Sequence, residues 1–292
     1  MPYPTVPAGD PRQRPRRSIL IRLLPVALLA LFALFKYMTA ETAVNPETGQ
    51  VVKVALSPEQ EEALGLQSYQ QVLSESEVVS SGPEYELIRK IAARLAAATG
   101  EGGAGFEWHA SLVRNDQVNA FCLPGGKIVV YTGILPVAKT EEGLAAVMGH
   151  EMAHATLRHG AQRLLRSDLT NTVMQGVAMS VSDMDIQQQR AVMSALGAGA
   201  QFGILMPFGR DHETEADEIG ILYMARAGYD PRESVGLWER MAEAGGGQQP
   251  PEFMSTHPSH GTRIERLEAF MPRAMKEYQK AVGARSPTGG AG

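Results

Sequence analysis

The residues of this chain most able to do chemistry lie in the stretch VMGHEMAHATLRHG. It places His150, Glu151 and His154 in the pattern H-E-x-x-H. Side chains four residues apart project from one face of an α-helix, so two imidazoles can converge on one metal ion and Glu151 can reach a water bound to it. The pattern therefore predicts a catalytic zinc site with one Zn²⁺ per chain. The competing interpretation is a pair of ordinary core histidines.

A catalytic zinc ion usually has three protein ligands, so a third donor is needed. His159 is near in sequence, but it lies five residues after His154, which turns it away from the metal-binding face of the helix. The spacing also differs from the metzincin pattern HExxHxxGxxH, which needs a glycine where this chain has Leu157. We therefore interpret His159 as a cation near the C-terminus of a helix that should end at Gly160.

A better candidate for the third ligand is Glu213, in the stretch GRDHETEADEIGILYMARAG. Glu213 and Asp217 are four residues apart and would share a helical face. Glu213 could then bind the ion, while Asp217 accepts a hydrogen bond from a ligating histidine. An acid-rich helix is by itself more often a solvated surface. Its combination with H-E-x-x-H favours the metal-binding interpretation.

The segments around these motifs predict a mainly helical α+β fold with a small sheet beside the H-E-x-x-H helix. One helix should begin after the N-cap Ser57, with Pro58 at its first position. Another should run from Glu84 to Thr99, and Thr140 should cap the helix that carries the histidines. Three strands are predicted, over residues 106–113, 119–123 and 127–132.

The strand that starts at Asn119 has two interpretations. It could be a sheet edge on which a substrate peptide lies as an added strand, held by main-chain hydrogen bonds. It could also be a plain edge strand that the turn Pro124-Gly125-Gly126 closes. Both place Asn119 at the rim of the small sheet.

The N-terminus predicts membrane targeting. Arginines at 12, 14, 16 and 17 precede an apolar run from Leu23 to Phe35, which Arg22 and Lys36 extend if they reach the two interfaces. We favour an uncleaved signal anchor over residues 19–38, and a cleaved signal peptide remains the alternative. In both cases the arginines stay in the cytoplasm and the chain passes the inner membrane once, so that the rest would lie in the periplasm if the source is a diderm bacterium.

The chain therefore divides into a basic N-terminus (1–18), the anchor, a linker (39–56), a zinc metallopeptidase domain (57–283) and a disordered tail (284–292). The Met- and Gly-rich segment 168–210 is either a lid over the zinc site or a pair of packed helices.

The net charge of −5 argues against a nucleic-acid partner. A single cysteine, Cys122, excludes an intrachain disulfide in this sequence. The oligomeric state is not predicted.

Three motifs together carry a family resemblance: HEMAH, ETEAD and STHPSHGTRIERL. They resemble the gluzincin metalloproteases that include the CAAX prenyl endopeptidases, HtpX-type membrane proteases and BepA/LoiP-type periplasmic proteases. The mitochondrial inner-membrane quality-control branch is also similar. The resemblance covers Leu56 to Met271 and includes NAFCLPGG.

The resemblance implies roles for particular residues. Glu213 would be the third zinc ligand beside His150 and His154, with Glu151 as the catalytic base. His257, in a pattern H-P-x-x-x-x-R that ends at Arg263, would stabilise the oxyanion, and Arg263 would support the oxyanion or the substrate.

The implied function is a zinc endopeptidase that degrades misfolded or membrane-associated envelope proteins. One rival is a zinc-bound chaperone or assembly factor with latent proteolysis. A second rival is a zinc hydrolase that acts on something other than peptide.

Overall fold

A computed structural model describes residues 18–201, 205–244, 252–257 and 262–285. The predictions for the basic N-terminus up to residue 17 and for the tail from residue 286 lie outside the described residues. So does the stretch 258–261 between His257 and Arg263.

The described residues form the mainly helical α+β fold that the sequence predicts. The helices are α1 (Ile19–Thr39), α2 (Pro58–Ser74), α3 (Pro83–Ala98), α4 (Leu135–Ala138), α5 (Glu141–Thr156), α6 (His159–Ser180), α7 (Ile186–Ala200), α8 (Met206–Arg226), α9 (Glu233–Ala244), α10 (Glu252–Thr256) and α11 (Arg263–Arg285). The strands are β1 (Glu41–Val44), β2 (Val51–Val54), β3 (Val78–Val79), β4 (His109–Val113), β5 (Ala120–Leu123) and β6 (Lys127–Tyr131).

The larger sheet has the strand order β3-β4-β6-β5. Strands β4 and β6 are parallel, with Leu112 opposite Val130, while β5 pairs with β6 antiparallel, with Ala120 also opposite Val130. This order leaves β5 at one edge of the described sheet, next to α5. The predicted sheet beside the H-E-x-x-H helix is therefore confirmed.

Local sequence signals explain the start of α2. The Ser57 side chain accepts the backbone N–H of Gln60, and the Gln60 side chain accepts the backbone N–H of Ser57. This reciprocal capping box, with Pro58 at the first helical position, satisfies two N–H groups that the helix leaves unpaired. The predicted N-cap is confirmed.

The segment 39–56, expected to be a linker, contains the antiparallel hairpin β1–β2. Its turn is the predicted NPETG stretch, where the side chain of Asn45 accepts the backbone N–H groups of Glu47 and Thr48. Arg226 of α8 then holds the turn through two contacts to the carboxylate of Glu47, at 2.6 and 2.9 Å. The hairpin is thereby fixed to the helix that carries Glu213.

The described residues form two compact units. One contains residues 18–39 and 167–201, and the other contains the described residues between 40 and 166 and between 205 and 285. In the first, α1 is one helix that is long and apolar enough to cross a membrane, with a mean hydropathy of 1.9 over Leu20–Thr39. An N-terminal helix of this kind can be an anchor or a signal sequence.

Helix α5 is the centre of the second unit. Twelve of its sixteen residues are buried, because α3, α8, α9 and β5 pack around it. Its closest neighbour is α8, which crosses it where Gly149 meets Gly220. A Cβ atom on Gly220 would lie 2.8 Å from the backbone nitrogen of His150. Glycine at this point lets the two helix backbones touch, which brings the carboxylates of α8 to the histidines of α5.

We expect Gly220→Ala to separate α5 from α8. Overpacking of a filled site costs about 1–3 kcal/mol of unfolding free energy, and here a backbone atom, not a flexible side chain, is in the way. Metal affinity should fall together with stability. Gly209→Ala is the matched control, because a Cβ at Gly209 in the same helix meets nothing within 4 Å. Equal denaturation midpoints for the two variants would contradict the helix crossing.

Candidate metal centre

The histidines of α5 are positioned by the ends of their helix. Thr140 is the N-cap, and its hydroxyl accepts the Gly143 N–H at 2.9 Å. The helix ends at Thr156, because Arg158 adopts a left-handed conformation with φ of 57°, and α6 starts at His159. The predicted end at Gly160 was therefore wrong, and His159 belongs to the next helix.

Four side chains of the described residues converge on one point: His150, His154, Glu213 and His257. One donor atom from each lies within 4.8 Å of all the others. The Nε2 atoms of His150 and His154 are 3.1 Å apart, and the Glu213 carboxylate lies 3.4 and 3.5 Å from them. Nδ1 of His257 is 3.1 Å from Glu213 and 3.3 Å from His150.

These spacings fit a zinc ion. Ligands bound tetrahedrally at about 2.0–2.1 Å are separated from one another by about 3.3 Å, close to the donor separations in this cluster. Imidazole nitrogens and one carboxylate are also the donors that zinc accepts in catalytic sites. The structure thus brings together all three predicted ligands, with His257 as a fourth donor.

Arg263 and Asp217 support this cluster on one side. Nε and Nη2 of Arg263 donate to Asp217 at 2.5 Å and to Glu213 at 3.0 Å. The other Asp217 oxygen lies 2.9 Å from Nδ1 of His150. The guanidinium also stacks on the Trp238 ring, 3.6 Å from its centroid. Arg263 is buried beneath the donors, so its charge is used to orient two carboxylates.

A second support acts on His154 from the other side. Nδ1 of His159 lies 2.9 Å from Nδ1 of His154, and Nε2 of His159 lies 3.2 Å from Glu215. Asn45 donates to the other Glu215 oxygen at 3.2 Å. The His212 ring stacks on His159 with centroids 3.9 Å apart. Residues from two helices and the β1–β2 turn therefore hold His154.

This arrangement overturns the interpretation of His159 as a helix C-terminal cation. His159 is buried, and that burial lowers its pKa, so the neutral form is favoured. The sequence offered little indication of where His159 lies. Its position depends on Arg158, whose left-handed backbone conformation turns the chain back toward the cluster. Glu215 and Asn45 were missed for the same reason, since neither adjoins H-E-x-x-H in sequence.

The electrostatics differ between the donors. Burial alone would lower the pKa of His150, but hydrogen bonds to Asp217 and Glu213 raise it to about 9. Burial and nearby His150 lower the pKa of His154 well below its usual value. Hydrogen bonds from His150 and His257 overcome burial and hold the pKa of Glu213 well below its ordinary range. The cluster therefore contains a carboxylate anion and a neutral imidazole, as a metal site requires.

Glu151 lies beside the cluster and at the sheet edge. The backbone N–H of Cys122 in β5 donates to its carboxylate, and Nε2 of His257 lies 3.4 Å away. Burial raises the pKa of Glu151, which suits a group that must accept a proton. Burial also raises the pKa of the Cys122 thiol, so the thiol stays protonated and only the backbone of this residue serves the site.

Asn119 immediately precedes β5. Its carbonyl accepts the N–H of Tyr131 at 3.1 Å, which directs this peptide group toward β6. The alternation of a strand then directs the main-chain groups of Ala120 and Cys122 away from the sheet. Cys122 of this strand lines a cleft of about 550 Å³ whose lining also includes Glu151, His154 and His257. The predicted edge strand and the metal donors thus share one cleft.

Comparison with known proteins gives consistent matches. Residues 84–271 match the family described as Peptidase family M48. The mitochondrial metalloendopeptidase OMA1 of Schizosaccharomyces pombe is 36% identical over 73% of this chain and 62% of its own length. The human metalloendopeptidase OMA1 is 29% identical over 84% of this chain and 48% of its own. The beta-barrel assembly-enhancing protease of Yersinia pestis is 31% identical over 75% and 45%. The chain spans about half the length of the curated relatives it matches.

Proposed function

The chain belongs to peptidase family M48, and from this membership we propose that it is a zinc-dependent endopeptidase. The observation that carries the proposal is the convergence of His150, His154 and Glu213 on one point beside Glu151 and an edge strand. These are the parts that peptide hydrolysis needs: donors for one ion, a base, and a surface that holds an extended substrate.

His150, His154 and Glu213 would hold the zinc ion. When bound, zinc supplies a Lewis acid and lowers the pKa of a bound water toward about 7. Glu151 takes a proton from the attacking water and later delivers it to the leaving amine. Main-chain groups of β5 that point away from β6, other than the Cys122 N–H that donates to Glu151, would hold the substrate as an added strand. Asn119 supports this edge through its bond to Tyr131.

His257 would act on the carbonyl oxygen of the substrate. Its Nδ1 is bonded to Glu213, which leaves Nε2, the atom that faces Glu151, to donate to the oxyanion. For Arg263 we propose a role other than the expected support of oxyanion or substrate. It is buried and already donates to Glu213 and Asp217, so we assign it a positioning role for the ligand set.

The variant His257→Ala tests whether His257 is a metal ligand or an oxyanion donor. We expect the purified variant to keep one zinc ion per chain and to lose about 10²–10³-fold in kcat. Metal content by atomic emission and peptide cleavage are measured on the same sample. Loss of the metal would make His257 a ligand and would overturn the oxyanion assignment.

His159 would position His154 for metal binding. To bind zinc through a lone pair on Nε2, His154 must carry its proton on Nδ1. That N–H then donates to Nδ1 of His159, and the Nε2–H of His159 donates to Glu215. We expect His159→Ala to weaken zinc affinity about 10–100-fold, as removal of such partners does. His159→Asn, which keeps a hydrogen-bond acceptor, should restore part of the affinity. Chelator competition measures both, and equal affinities for Ala and Asn would contradict this role.

The substrates proposed are misfolded or membrane-associated envelope proteins. Two features support this: the similarity to a beta-barrel assembly-enhancing protease and to mitochondrial metalloendopeptidases, and the apolar helix α1. With arginines preceding α1, the catalytic residues would lie in the periplasm of a diderm bacterium and α1 would remain in the inner membrane.

The test is cleavage of casein by the purified full chain. Activity should disappear with a chelator and return when zinc is added back. Cleavage that persists in a chelated sample of measured zero metal content would overturn the proposal. A protein that binds zinc but never cleaves casein or unfolded envelope proteins would favour the chaperone alternative.

A further inference from the structure

We propose that the segment formed by the second half of α6 and by α7 (residues 167–201, called the α6–α7 hairpin) is embedded in the bilayer beside α1. The chain would then cross the membrane three times, and the partner of the hairpin would be lipid acyl chains. This inference rests on the proposed function in one respect, that α1 is an uncleaved membrane helix.

Two ion pairs join α1 to the hairpin at opposite ends of the apolar run. Nη2 of Arg22 lies 2.8 Å from Asp183, and Lys36 pairs with Asp168. Arg22 and Lys36 are the charged residues that flank Leu23–Phe35. Helix α6 therefore runs antiparallel to α1 over the whole run, about 21 Å at 1.5 Å per residue.

The two helices also touch midway between the ion pairs. A Cβ atom on Gly176 would lie 2.9 Å from the Cα of Val26 and 3.0 Å from the carbonyl oxygen of Pro25. Contact of backbones through a small residue is typical of helix pairs inside membranes. Since contacts occur at both ends and in the middle, α6 lies at the same depth as α1 wherever α1 is placed.

The outer surface of α1 indicates that this depth is the hydrocarbon core. Nine large apolar residues of α1 each expose at least half of their surface: Leu20, Ile21, Leu23, Leu24, Leu28, Leu31, Phe32, Leu34 and Phe35. A continuous apolar surface of this kind is unfavourable in water and suited to lipid. A helix that accompanies α1 along its length must then enter lipid too.

The composition of the hairpin agrees with this placement. The sequence contains no charged residue between Asp168 and Asp183, and none from residue 191 to 209 after Arg190. Exposed apolar side chains include Met179, Ile186 and Leu196. Asn171 and Gln175 are exposed amides on α6, and both are uncharged. Ionised groups of the hairpin lie outside these two uncharged stretches: Asp168 at the start of the hairpin, Asp183 and Asp185 in the connection between the helices, and Arg190 in the second turn of α7.

The ion pairs also fix the direction of crossing. Helix α6 enters at the Lys36 end and reaches the level of Arg22, where residues 181–185 connect to α7. The positive-inside rule places the Arg22 end in the cytoplasm. The connection between α6 and α7 is therefore cytoplasmic, and α7 returns the chain to the side from which α6 came.

Cysteine labelling of the full chain tests this topology. In a Cys122→Ala background, single cysteines replace the exposed residues Ser18, Gln50 and Ser182, and spheroplasts that express the protein are treated with a membrane-impermeant maleimide. We expect Gln50→Cys to be labelled on intact spheroplasts. Ser18→Cys and Ser182→Cys should be labelled only after permeabilisation.

The outcomes distinguish the hairpin from the anchor. Labelling of Ser182→Cys on intact spheroplasts, with Ser18→Cys still protected, would overturn the hairpin and leave the anchor in place. Labelling of Ser18→Cys on intact spheroplasts, or removal of the segment that carries it, would overturn the anchor and the hairpin with it. Neither result would bear on the proposed peptidase chemistry, which casein cleavage measures separately.

A packing variant gives a second measurement. Gly176→Leu should push α6 away from α1, so that the hairpin no longer inserts beside α1. Ser182→Cys should then become reactive on intact spheroplasts. Gly197→Leu in α7 is the matched control, because a Cβ at Gly197 meets nothing within 4 Å. It should leave Ser182→Cys protected. The same labelling for both variants would contradict the packing of α6 on α1.

Discussion

Substitution of Glu151 by glutamine is expected to abolish peptide hydrolysis and to leave the metal in place. Glutamine keeps the shape of the side chain and can still interact with the N–H of Cys122, but it cannot accept the proton of the attacking water. General base catalysis contributes about 10²–10⁴-fold to a rate, so the loss should be at least of this size. Cleavage of casein and zinc content are measured together.

A control for this variant is Glu62→Gln. Glu62 is an exposed carboxylate that lines the same cleft, and it is absent from the group of converging donors. Its substitution should leave the rate of cleavage close to that of the unmodified chain. Cleavage at the normal rate by the Glu151 variant would show that another group is the base.

The same variant separates the proposed peptidase from a chaperone that binds zinc. A chaperone would keep its cellular effect when Glu151 is replaced, because zinc and fold are both retained. A peptidase would lose its effect in cells together with casein cleavage. The comparison therefore tests the function and not the fold.

Replacement of Glu213 by alanine is expected to remove the metal and, with it, all activity. The carboxylate is the anionic donor among three imidazoles, and it also receives Nη2 of Arg263. Loss of a residue that merely supports a ligand weakens zinc binding about 10–100-fold, so loss of a ligand should exceed that range. Zinc content after dialysis and the dissociation constant from chelator competition check this expectation.

Stability must be measured on the same variant, because Glu213 is buried next to Arg263. Truncation of one partner of a hydrogen bond to a charged group costs about 1.5–3 kcal/mol. Thermal unfolding of metal-free samples isolates this contribution. Glu218→Ala is the control, since Glu218 is on α8 but outside the group of converging donors. A Glu213→Ala protein that retains tightly bound zinc would remove Glu213 from the ligand set.

Much of the fold was predictable because its signals are local. The capping box at Ser57 and the N-cap Thr140 mark helix starts within a few residues, and the structure has both. The β-branched stretch 127–132 likewise predicts a strand that is observed as Lys127–Tyr131. Such signals depend on neighbours one to four residues away, which the chain carries wherever it folds.

Prediction was less successful where the backbone makes an unusual turn. The left-handed Arg158 ends α5 before His159, so a residue expected to face away from the metal site packs against His154. The spacing argument assumed a continuous helix, and that assumption failed at one residue. The bonds from buried Arg263 to two carboxylates were also not predicted, because the family resemblance implied that this residue supports the oxyanion or the substrate.

The sequence by itself determined which donors exist and which pairs of them share a helical face, because the 3.6-residue period fixes the relation of His150 to His154 and of Glu213 to Asp217. Only the tertiary structure decided that these pairs meet. Their meeting depends on Gly149 and Gly220, which let α5 and α8 approach until a Cβ would no longer fit. Distances between residues far apart in sequence are set by packing, and packing depends on all the elements around α5 at once.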